Sequence, residues 1–241
     1  MELRKKDILI SAQSRQAAMG EMIGFIAHQW KQPLNAIGVI VQNLEDSYNY
    51  GELTDDSLKN CTETVMQQIK YMSETINDFR NFFVPQQEKS LFQISDIIRQ
   101  TLRFVDLSFK RNDIDLTLNI DSNCAINGRS NELAQVLLNI LNNARDAFLE
   151  RDIPPSERQV KITHSRLDDT CQIYINDTAG GISDNLMENI FDPYFTTKSS
   201  SNGTGLGLFI SKRIVEEHFH GKLSARNTGN GVEFLIELNC E

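Results

Sequence analysis

A repeat of mostly apolar residues between Leu58 and Phe83 constrains the fold of this chain more than any other feature. The repeat advances in unbroken steps of four and three residues, which is the spacing of a coiled-coil seam. Pro85 ends the pattern, because proline removes a backbone donor and clashes with the preceding helical turn. The spacing therefore predicts a long helix with one continuous apolar face. The seam consists of Leu58, Thr62, Val65, Ile69, Met72, Ile76, Phe79 and Phe83.

A second long helix is predicted upstream, over residues 11 to about 49. Its apolar residues also follow one another in steps of three and four, from Ile23 to Tyr48, and Gly51 breaks the pattern. Two antiparallel helices cannot hide two such seams from water within one hairpin. We therefore expect a homodimer in which two hairpins form a four-helix bundle. The alternative, in which the hairpin packs against the following domain of the same chain, stays open.

The pattern changes to mixed α/β after a short polar linker. We expect a helical hairpin over residues 1–84, a linker over residues 85–91 and an α/β domain over residues 92–241. Two strand pairs flank tight turns, one around Asp168-Asp169 and one at Gly229-Asn230-Gly231. Because the strands are few and pair locally, they predict one mixed or antiparallel sheet with helices on one face.

Composition excludes several classes of function. The net charge of −9 argues against a nucleic-acid-binding protein, since neutralising phosphates requires clustered Lys and Arg. No apolar run approaches the roughly 20 residues of a membrane span. The four cysteines are scattered without a C-x-x-C pair, so we expect a reducing compartment and neither a zinc site nor a disulfide. They are Cys61, Cys124, Cys171 and Cys240.

Three segments of the α/β domain carry candidate chemistry. Asn139 and Asn143 are four residues apart on a predicted helix, where two amide oxygens on one face suit Mg²⁺. Asp177 follows an apolar strand and precedes small residues, an arrangement that suits recognition of a purine amine by a buried carboxylate. A glycine-rich run, Gly203–Leu208, opens a helix whose N-terminal amides would suit a phosphate.

His28 is the candidate reactive residue of the hairpin. If Ile26 and Trp30 are seam positions, His28 lies between them and points away from the bundle axis. Pro33 follows it within two turns. The other histidines suggest no chemistry, and His164, in a strand with alternating neighbours, is predicted to lie at the surface.

In this order the three segments resemble the N, G1 and G2 boxes of the GHKL ATPases. Phe191–Phe195 (FDPYF) resembles their F box, and His28–Asn35 (HQWKQPLN) is similar to the H box of sensor histidine kinases of two-component systems. The likeness spans nearly the whole chain. It implies a HisKA-like dimerisation and phosphotransfer hairpin followed by an ATP-binding α/β sandwich of the Bergerat fold.

The resemblance also implies roles for individual residues, with ATP and Mg²⁺ as cofactors. Asn143, helped by Asn139, would bind Mg²⁺, and Asp177 would accept the adenine amino group. The remaining implied nucleotide-binding positions are Gly181, Ile182, Lys198, Gly203, Thr204, Gly205, Leu206, Gly207 and Leu208.

The implied activity is that of an ATP-dependent protein-histidine kinase. It would autophosphorylate His28 and donate the phosphate to an aspartate of a response-regulator receiver domain. Relatives usually follow the histidine with an acid, whereas this chain has Gln29, so phosphorylation would depend on the imidazole's own basicity. Gln32 occupies the place of residues implicated in phosphatase activity, which we expect as a second activity. Asp146 stands where many kinases have a basic residue.

Two other functions stay open. A dimeric ATP-binding scaffold that signals without phosphotransfer would suit Gln29 and Asp146. A GHKL-type ATPase would need a catalytic acid one turn from Asn143, and Glu132 is too far away for that. We expect this portion of the protein to be cytoplasmic and to receive its signal from an upstream sensor domain absent from this chain. A membrane anchor on a longer protein stays open.

Overall fold

The computed structural model describes residues 30–83, 88–122, 124–197 and 205–240. The chain divides into two compact units, one within residues 19–84 and the other from residue 85 onward. Among the residues that the structure describes, no helix combines the length and the apolar character needed to cross a membrane.

The first unit contains two long helices joined by a short turn. Helix α1 is described over residues 30–49, and α2 covers Asp55–Phe83. Gly51 makes the turn with a φ of 72°, a conformation that glycine adopts without steric cost. Thr54 and Ser57 cap α2 reciprocally: the Ser57 amide donates to Thr54 Oγ1 at 3.1 Å, and the Thr54 amide donates to Ser57 Oγ at 3.0 Å. The predicted helical hairpin is therefore confirmed.

The apolar seams of this unit stay partly exposed in the single chain. Leu34 on α1 is 53% exposed, and on α2 Leu58, Ile69 and Ile76 are 45%, 43% and 42% exposed. Large apolar side chains arranged along one face of a helix are stabilised when a second surface covers them. The hairpin therefore presents an apolar surface that one copy of it does not bury.

The second unit is a mixed sheet with helices. Its elements are β1 Ser90–Gln93, α3 Ile94–Arg111, β2 Asp115–Ile120, β3 Ala125–Gly128, α4 Ser130–Glu150, β4 Gln159–Leu167, β5 Thr170–Asp177, α5 Asp184–Met187, α6 Gly207–Arg213, β6 Lys222–Asn227 and β7 Val232–Asn239. A five-stranded sheet has the order β2-β4-β5-β7-β6, in which β2 and β4 are parallel and the other neighbours are antiparallel. Strands β1 and β3 form a separate antiparallel pair. The prediction of a mixed sheet is confirmed.

The core lies between the sheet and the helices. Along β5, buried residues alternate with half-buried ones, which indicates that one face of the sheet is covered. Helices α3 and α4 supply the opposing apolar surface, with Phe109 at 1% exposure and Phe148 and Leu141 at 0%. A short 3₁₀ turn, Pro155–Glu157, precedes β4, and a π-helical turn, Ile214–His218, extends α6. This core positions the C-terminal end of β5, where Asp177 of the candidate site lies.

The prediction that His164 lies at the surface is wrong. Its side chain is 0% exposed, because the two-residue period of β4 puts it on the same inner face as Val160 and Ile162. Neither ring nitrogen has a hydrogen-bond partner within the described parts of the chain. Burial lowers the pKa of His164, and the nearby charge of Asp121 acts in the opposite direction.

The prediction that the cysteines form no disulfide is also wrong. Cys124 and Cys171 are bonded, and Cys240 contacts both sulfur atoms. The spacing of the cysteines in the sequence does not predict this cluster, because the fold brings together three segments that are far apart along the chain. Cys171 lies on β5, whose register with β7 pairs it with Leu238, two residues before Cys240.

Candidate nucleotide-binding site

Helix α4 holds the first predicted segment, and its Asn139 contacts the start of α6. The Asn139 Nδ2 atom donates to the Gly207 carbonyl at 3.2 Å and to Ser211 Oγ at 3.2 Å. The side chain is half-buried, and Ser211 is 0% exposed. Asn139 thus joins the helix of the asparagine pair to the helix that follows the glycine-rich run. This gives Asn139 a packing role besides the metal-binding role expected from the sequence.

Asn143 lies one helical turn after Asn139, beside a neutralised charge pair. Arg145 donates to Asp146 Oδ1 through Nε at 2.9 Å and Nη2 at 2.7 Å, and its Nη1 donates to Asn142 Oδ1 at 3.2 Å. Both side chains of the ion pair are largely buried, with 19% exposure for Arg145 and 22% for Asp146. The negative charge of Asp146, which stands where many kinases have a basic residue, is therefore balanced by the positive charge of Arg145.

Asp177 ends β5 as a buried carboxylate. It is 7% exposed, and its Oδ1 accepts hydrogen bonds from the Ala179 amide at 2.9 Å and the Val232 amide at 3.3 Å. Burial raises the pKa of Asp177, while these two amides and the charge of Arg151 act in the opposite direction. The two amides fix the orientation of the carboxyl group, so that a ligand amine could meet it in one geometry.

The loop after Asp177 depends on two glycines in the left-handed region. Gly180 has φ 88° and Gly181 has φ 79°, conformations that residues with a Cβ rarely adopt. The Gly180 amide donates to the Asn230 carbonyl at 2.9 Å, and Arg151 donates to the Ala179 carbonyl. The loop is therefore held on one side by the β6–β7 turn and on the other by the end of α4.

The same helix supports both halves of the site. Asn139 contacts the start of α6, and Arg151, at the C-terminal end of α4, contacts the loop after Asp177. The two contact points are about 18 Å apart along the axis at about 1.5 Å per residue. Helix α4 is thus a common support for the asparagine pair, the loop after Asp177 and the start of α6.

Asn227 and Gly231 belong to the site although sequence reasoning did not select them. Asn227, the last residue of β6, accepts a hydrogen bond from the Ile182 amide at 2.8 Å and donates to the Ile182 carbonyl at 2.6 Å. Gly231 lies so close to Asp177 that a Cβ there would overlap the Asp177 carbonyl group. The turn motif around Gly229-Asn230-Gly231 was visible in the sequence, but its contact with Asp177 was not.

The F-box segment, Phe191–Phe195, packs against the start of α6. Gly205 has φ 64°, and a Cβ at this position would overlap the backbone of Tyr194, which itself has φ 65°. Leu206 is 3% exposed, and the Lys212 Nζ atom lies 5.1 Å from the centroid of the Phe191 ring. These contacts bring the F-box segment and the glycine-rich segment together.

Several predicted residues lie outside the described part of the chain: His28, Gln29, Lys198, Gly203 and Thr204. Gln32 is exposed on α1. Within the second unit, Asn139 meets Gly207, and Ile182 is held by Asn227. Gly205 and Leu206 directly precede α6, and Leu208 is its second residue. The donor set fits nucleotide and Mg²⁺, because it combines amide oxygens on one helical face with an oriented carboxylate.

Two protein families match this chain. Residues 128–241 match the family described as histidine kinase-, DNA gyrase B- and HSP90-like ATPase. Residues 18–88 match the His Kinase A phospho-acceptor domain. The two matches follow one another along the chain in the order predicted for the hairpin and the α/β domain.

Individual relatives of the chain are a two-component sensor and a histidine-protein kinase. The chain is 28% identical over 239 residues to the two-component sensor PprA of Pseudomonas aeruginosa, covering 98% of this chain and 26% of that protein. It is 31% identical over 227 residues to the signal transduction histidine-protein kinase AtoS of Escherichia coli, covering 93% of this chain and 35% of that protein. The chain thus spans about a quarter to a third of the length of these two relatives.

Solved structures of histidine kinases have a fold similar to that of this chain. The catalytic domain of histidine kinase ThkA is 28% identical with a TM-score of 0.56, covering 64% of this chain and 97% of that domain. ThkA in complex with the response regulator protein TrrA aligns with a TM-score of 0.51 at 22% identity, covering 100% of this chain and 67% of the ThkA chain, which supports the fold alone.

Proposed function

Because the chain belongs to the sensor histidine kinases of two-component systems, we propose that it binds ATP in the candidate site and transfers the γ-phosphoryl group to His28. The observation that supports nucleotide binding most directly is the buried, oriented carboxylate of Asp177 beside the Gly180-Gly181 loop. A carboxylate there accepts a hydrogen bond from the adenine amino group. The small residues of the loop let the base approach the backbone.

Asn143, with Asn139 as its neighbour on α4, would hold Mg²⁺ through side-chain oxygens. When bound, Mg²⁺ would offset negative charge on the phosphates. Gly205 and Gly207, with the segment that begins at Lys198, would surround the phosphates, and Leu206 and Leu208 would fix the start of α6. The remaining predicted contacts are those of Gly181, Ile182, Gly203 and Thr204.

His28 would act as the nucleophile. A neutral imidazole nitrogen attacks the γ-phosphorus, so that a P–N bond forms, the bond to the bridging oxygen breaks, and ADP leaves with its electron pair. An imidazole with an ordinary pKa near 6.5 is mostly neutral at pH 7. Gln29 can orient the ring but cannot take its proton. Catalysis therefore depends on positioning and on charge stabilisation more than on a protein base.

The phosphoryl group would pass to an aspartate on a receiver domain. ThkA is known in complex with a response regulator, and we propose the same class of partner for this chain. Gln32, exposed on α1, would orient a water molecule for the phosphatase reaction, in which water attacks the phosphorus of the regulator's phosphoaspartate and inorganic phosphate leaves. An upstream sensor domain would supply the signal, since the relatives PprA and AtoS are three to four times longer than the segment they share with this chain.

We further propose that the chain works as a homodimer, with residues 1–84 as the dimerisation and phosphotransfer hairpin, residues 85–91 as a linker and residues 92–241 as the ATP-binding domain. The exposed seams of α1 and α2 support the dimer, because pairing two hairpins covers Leu34, Leu58, Ile69 and Ile76.

The deciding experiment is labelling with [γ-³²P]ATP and Mg²⁺. The parent chain should acquire acid-labile, base-stable label. His28→Asn should lose the label but keep its nucleotide affinity, whereas the control His220→Asn should label like the parent. Asn143→Ala should lose both label and Mg²⁺-dependent affinity. Undiminished labelling of His28→Asn would contradict the proposal.

A nucleotide-gated scaffold without phosphotransfer is the second candidate. It is favoured by Gln29, which stands in place of the usual acid beside the histidine. It is also favoured by Asp146, which stands where many kinases have a basic residue and which forms an ion pair with Arg145. Tight Mg²⁺-ATP binding with no detectable phosphohistidine, under conditions in which a related kinase labels, would favour this candidate.

A further inference from the structure

Three cysteines converge at one end of the second unit. Cys124 and Cys171 form a disulfide with a Cα–Cα distance of 6.4 Å, within the usual range for such a bond. The sulfur of Cys240 lies 2.6 Å from that of Cys124 and 3.0 Å from that of Cys171. A free thiol is therefore in contact with both sulfurs of a disulfide.

The fold holds each of the three segments in place. The Cys124 carbonyl accepts from the Ile94 amide at 3.0 Å, which fixes the segment before β3 against the start of α3. Cys171 belongs to β5, at the middle of the five-stranded sheet. The Cys240 amide donates to the Asp169 carbonyl at 2.7 Å, so the residue just after β7 stays beside the start of β5. The cluster is thus a product of strand register and not of chance proximity at a loose end.

The three cysteines differ in their access to solvent. Cys171 is 0% exposed and Cys124 is 1% exposed, whereas Cys240 is half-buried. A reagent in solution therefore meets Cys240 first and cannot reach the other two sulfurs without opening the structure. Accessibility and thiolate character control the rate at which a cysteine exchanges.

We propose that Cys124, Cys171 and Cys240 form a thiol–disulfide exchange site, in which Cys240 relays oxidation and reduction between a small disulfide in solution and the buried Cys124–Cys171 pair. The chemical class of the partner is a low-molecular-weight disulfide, such as glutathione disulfide, and its reduced thiol. This site is separate from the nucleotide-binding residues and does not depend on the proposed kinase activity.

The steps balance without another reactant. The Cys240 thiolate attacks one sulfur of the small disulfide, forms a mixed disulfide and releases one small thiol. The Cys124 thiolate then attacks the Cys240 sulfur and releases the second small thiol. Finally, the Cys171 thiolate attacks the Cys124 sulfur, which forms the buried disulfide and regenerates the Cys240 thiolate. Two protein thiols are oxidised and one small disulfide is reduced to two thiols; reduction follows the reverse order.

A bound metal ion is the competing explanation for three converging cysteines. A tetrahedral Zn²⁺ site takes four N, S or O ligands. Within the described part of the chain, the cluster includes no His, Asp or Glu as a fourth ligand, and two of its three sulfurs are bonded to each other. These two features favour exchange between sulfurs.

The test follows oxidation of the fully reduced, folded chain by glutathione disulfide. Samples are quenched with acid, alkylated under denaturing conditions and mapped by mass spectrometry. Cys61→Ser serves as the background, because Cys61 lies in the other unit. We expect a transient glutathione adduct on Cys240, followed by the Cys124–Cys171 disulfide, and at least tenfold slower oxidation in Cys240→Ser.

Three outcomes would overturn the proposal. One is oxidation of Cys240→Ser at the parent rate, in protein whose circular dichroism spectrum matches that of the parent. Another is a first adduct on Cys124 or Cys171 in the parent itself, a result that needs no variant to fold. The third is stoichiometric zinc in the purified chain that protects all three thiols from alkylation until a chelator removes it.

Discussion

Asn227 holds the backbone of Ile182 with both ends of its side-chain amide. Its Oδ1 accepts from the Ile182 amide at 2.8 Å, and its Nδ2 donates to the Ile182 carbonyl at 2.6 Å and to Asp184 Oδ1 at 3.1 Å. The paired contact imitates one step of a β-ladder between residues 45 positions apart. It anchors the loop that follows Asp177 to the end of β6.

Asn227→Ala should loosen this loop. We expect nucleotide affinity to fall about tenfold and the free energy of unfolding to fall by about 1 kcal/mol, the usual net contribution of such hydrogen bonds. Isothermal titration with ATP and urea denaturation measure the two effects. Asn230→Ala is the matched control, because the hydrogen bond between Asn230 and Gly180 uses the backbone carbonyl of Asn230, which alanine keeps. Equal affinity in Asn227→Ala and the parent would contradict the assignment.

Asp177→Asn tests the adenine contact. The amide oxygen can still accept from the Ala179 amide, so the fold should persist at pH 7, but the charged acceptor for the adenine amine is lost. Hydrogen bonds to charged groups contribute about 1.5–3 kcal/mol, so ATP affinity should fall at least about tenfold. Asp169→Asn, at a side chain that is 98% exposed, should bind ATP like the parent. The assignment fails if both variants bind equally well.

Gly231→Ala should be strongly destabilising, because the added methyl would overlap the backbone of Asp177. We expect a loss of about 2–3 kcal/mol in the free energy of unfolding, as in other overpacked sites. Gly229→Ala is the control two residues away, since a Cβ at that position meets nothing within 4 Å. Thermal or urea unfolding of the two variants provides the comparison, and similar stabilities would refute the close approach of β7 to Asp177.

The burial of His164 predicts that the stability of the fold depends on pH. Burial lowers its pKa in the folded state, so the unfolded chain binds a proton more readily than the folded chain does. Stability should therefore fall as the pH drops through the unfolded pKa near 6.5. His164→Leu should flatten the pH dependence of the unfolding free energy between about pH 7.5 and 5.5, as measured by urea denaturation at each pH. A parental slope in His164→Leu would show that other groups dominate.

Ile69→Glu tests the homodimer. Ile69 is a seam position that is 43% exposed in the single chain, and a charge there would be buried in a four-helix bundle. We expect dissociation to monomers at micromolar concentration, measured by analytical ultracentrifugation. Gln67→Glu adds the same charge about 200° around the helix, away from the seam, and should leave the assembly intact. Equal dissociation of both variants would mean that charge alone, and not seam burial, governs association.

The elements and their order could be predicted from the sequence because their signals are local. The four-three spacing of α2, the β-hairpin turns and the glycines before α6 each lie within one continuous stretch of chain. Asn139 and Asn143 were selected because a helical period puts them on one face, and Asp177 because it follows an apolar strand. Both kinds of signal need only neighbouring residues, and the family resemblance added their order along the chain.

Contacts between distant strands could not be predicted in the same way. The contact between Asn227 and Ile182 and that between Gly231 and Asp177 depend on how β6 pairs with β7 and β7 with β5. No local sequence pattern predicts the register of these pairings. His164 was misassigned because alternation in one strand does not say which face is covered. A one-residue difference in register reverses the inner and outer faces of a strand.

The sequence by itself determined that the chain forms a long apolar-seamed hairpin followed by a mixed α/β domain, because periodicity and turn chemistry act over a few residues. The histidine kinase type followed from the resemblance of its motifs to those of that family. Only the tertiary structure decided that Arg151, Asn227 and Gly231 support the loop after Asp177, and that three scattered cysteines meet. Those relationships arise from strand register and helix packing, which join residues that are far apart along the chain.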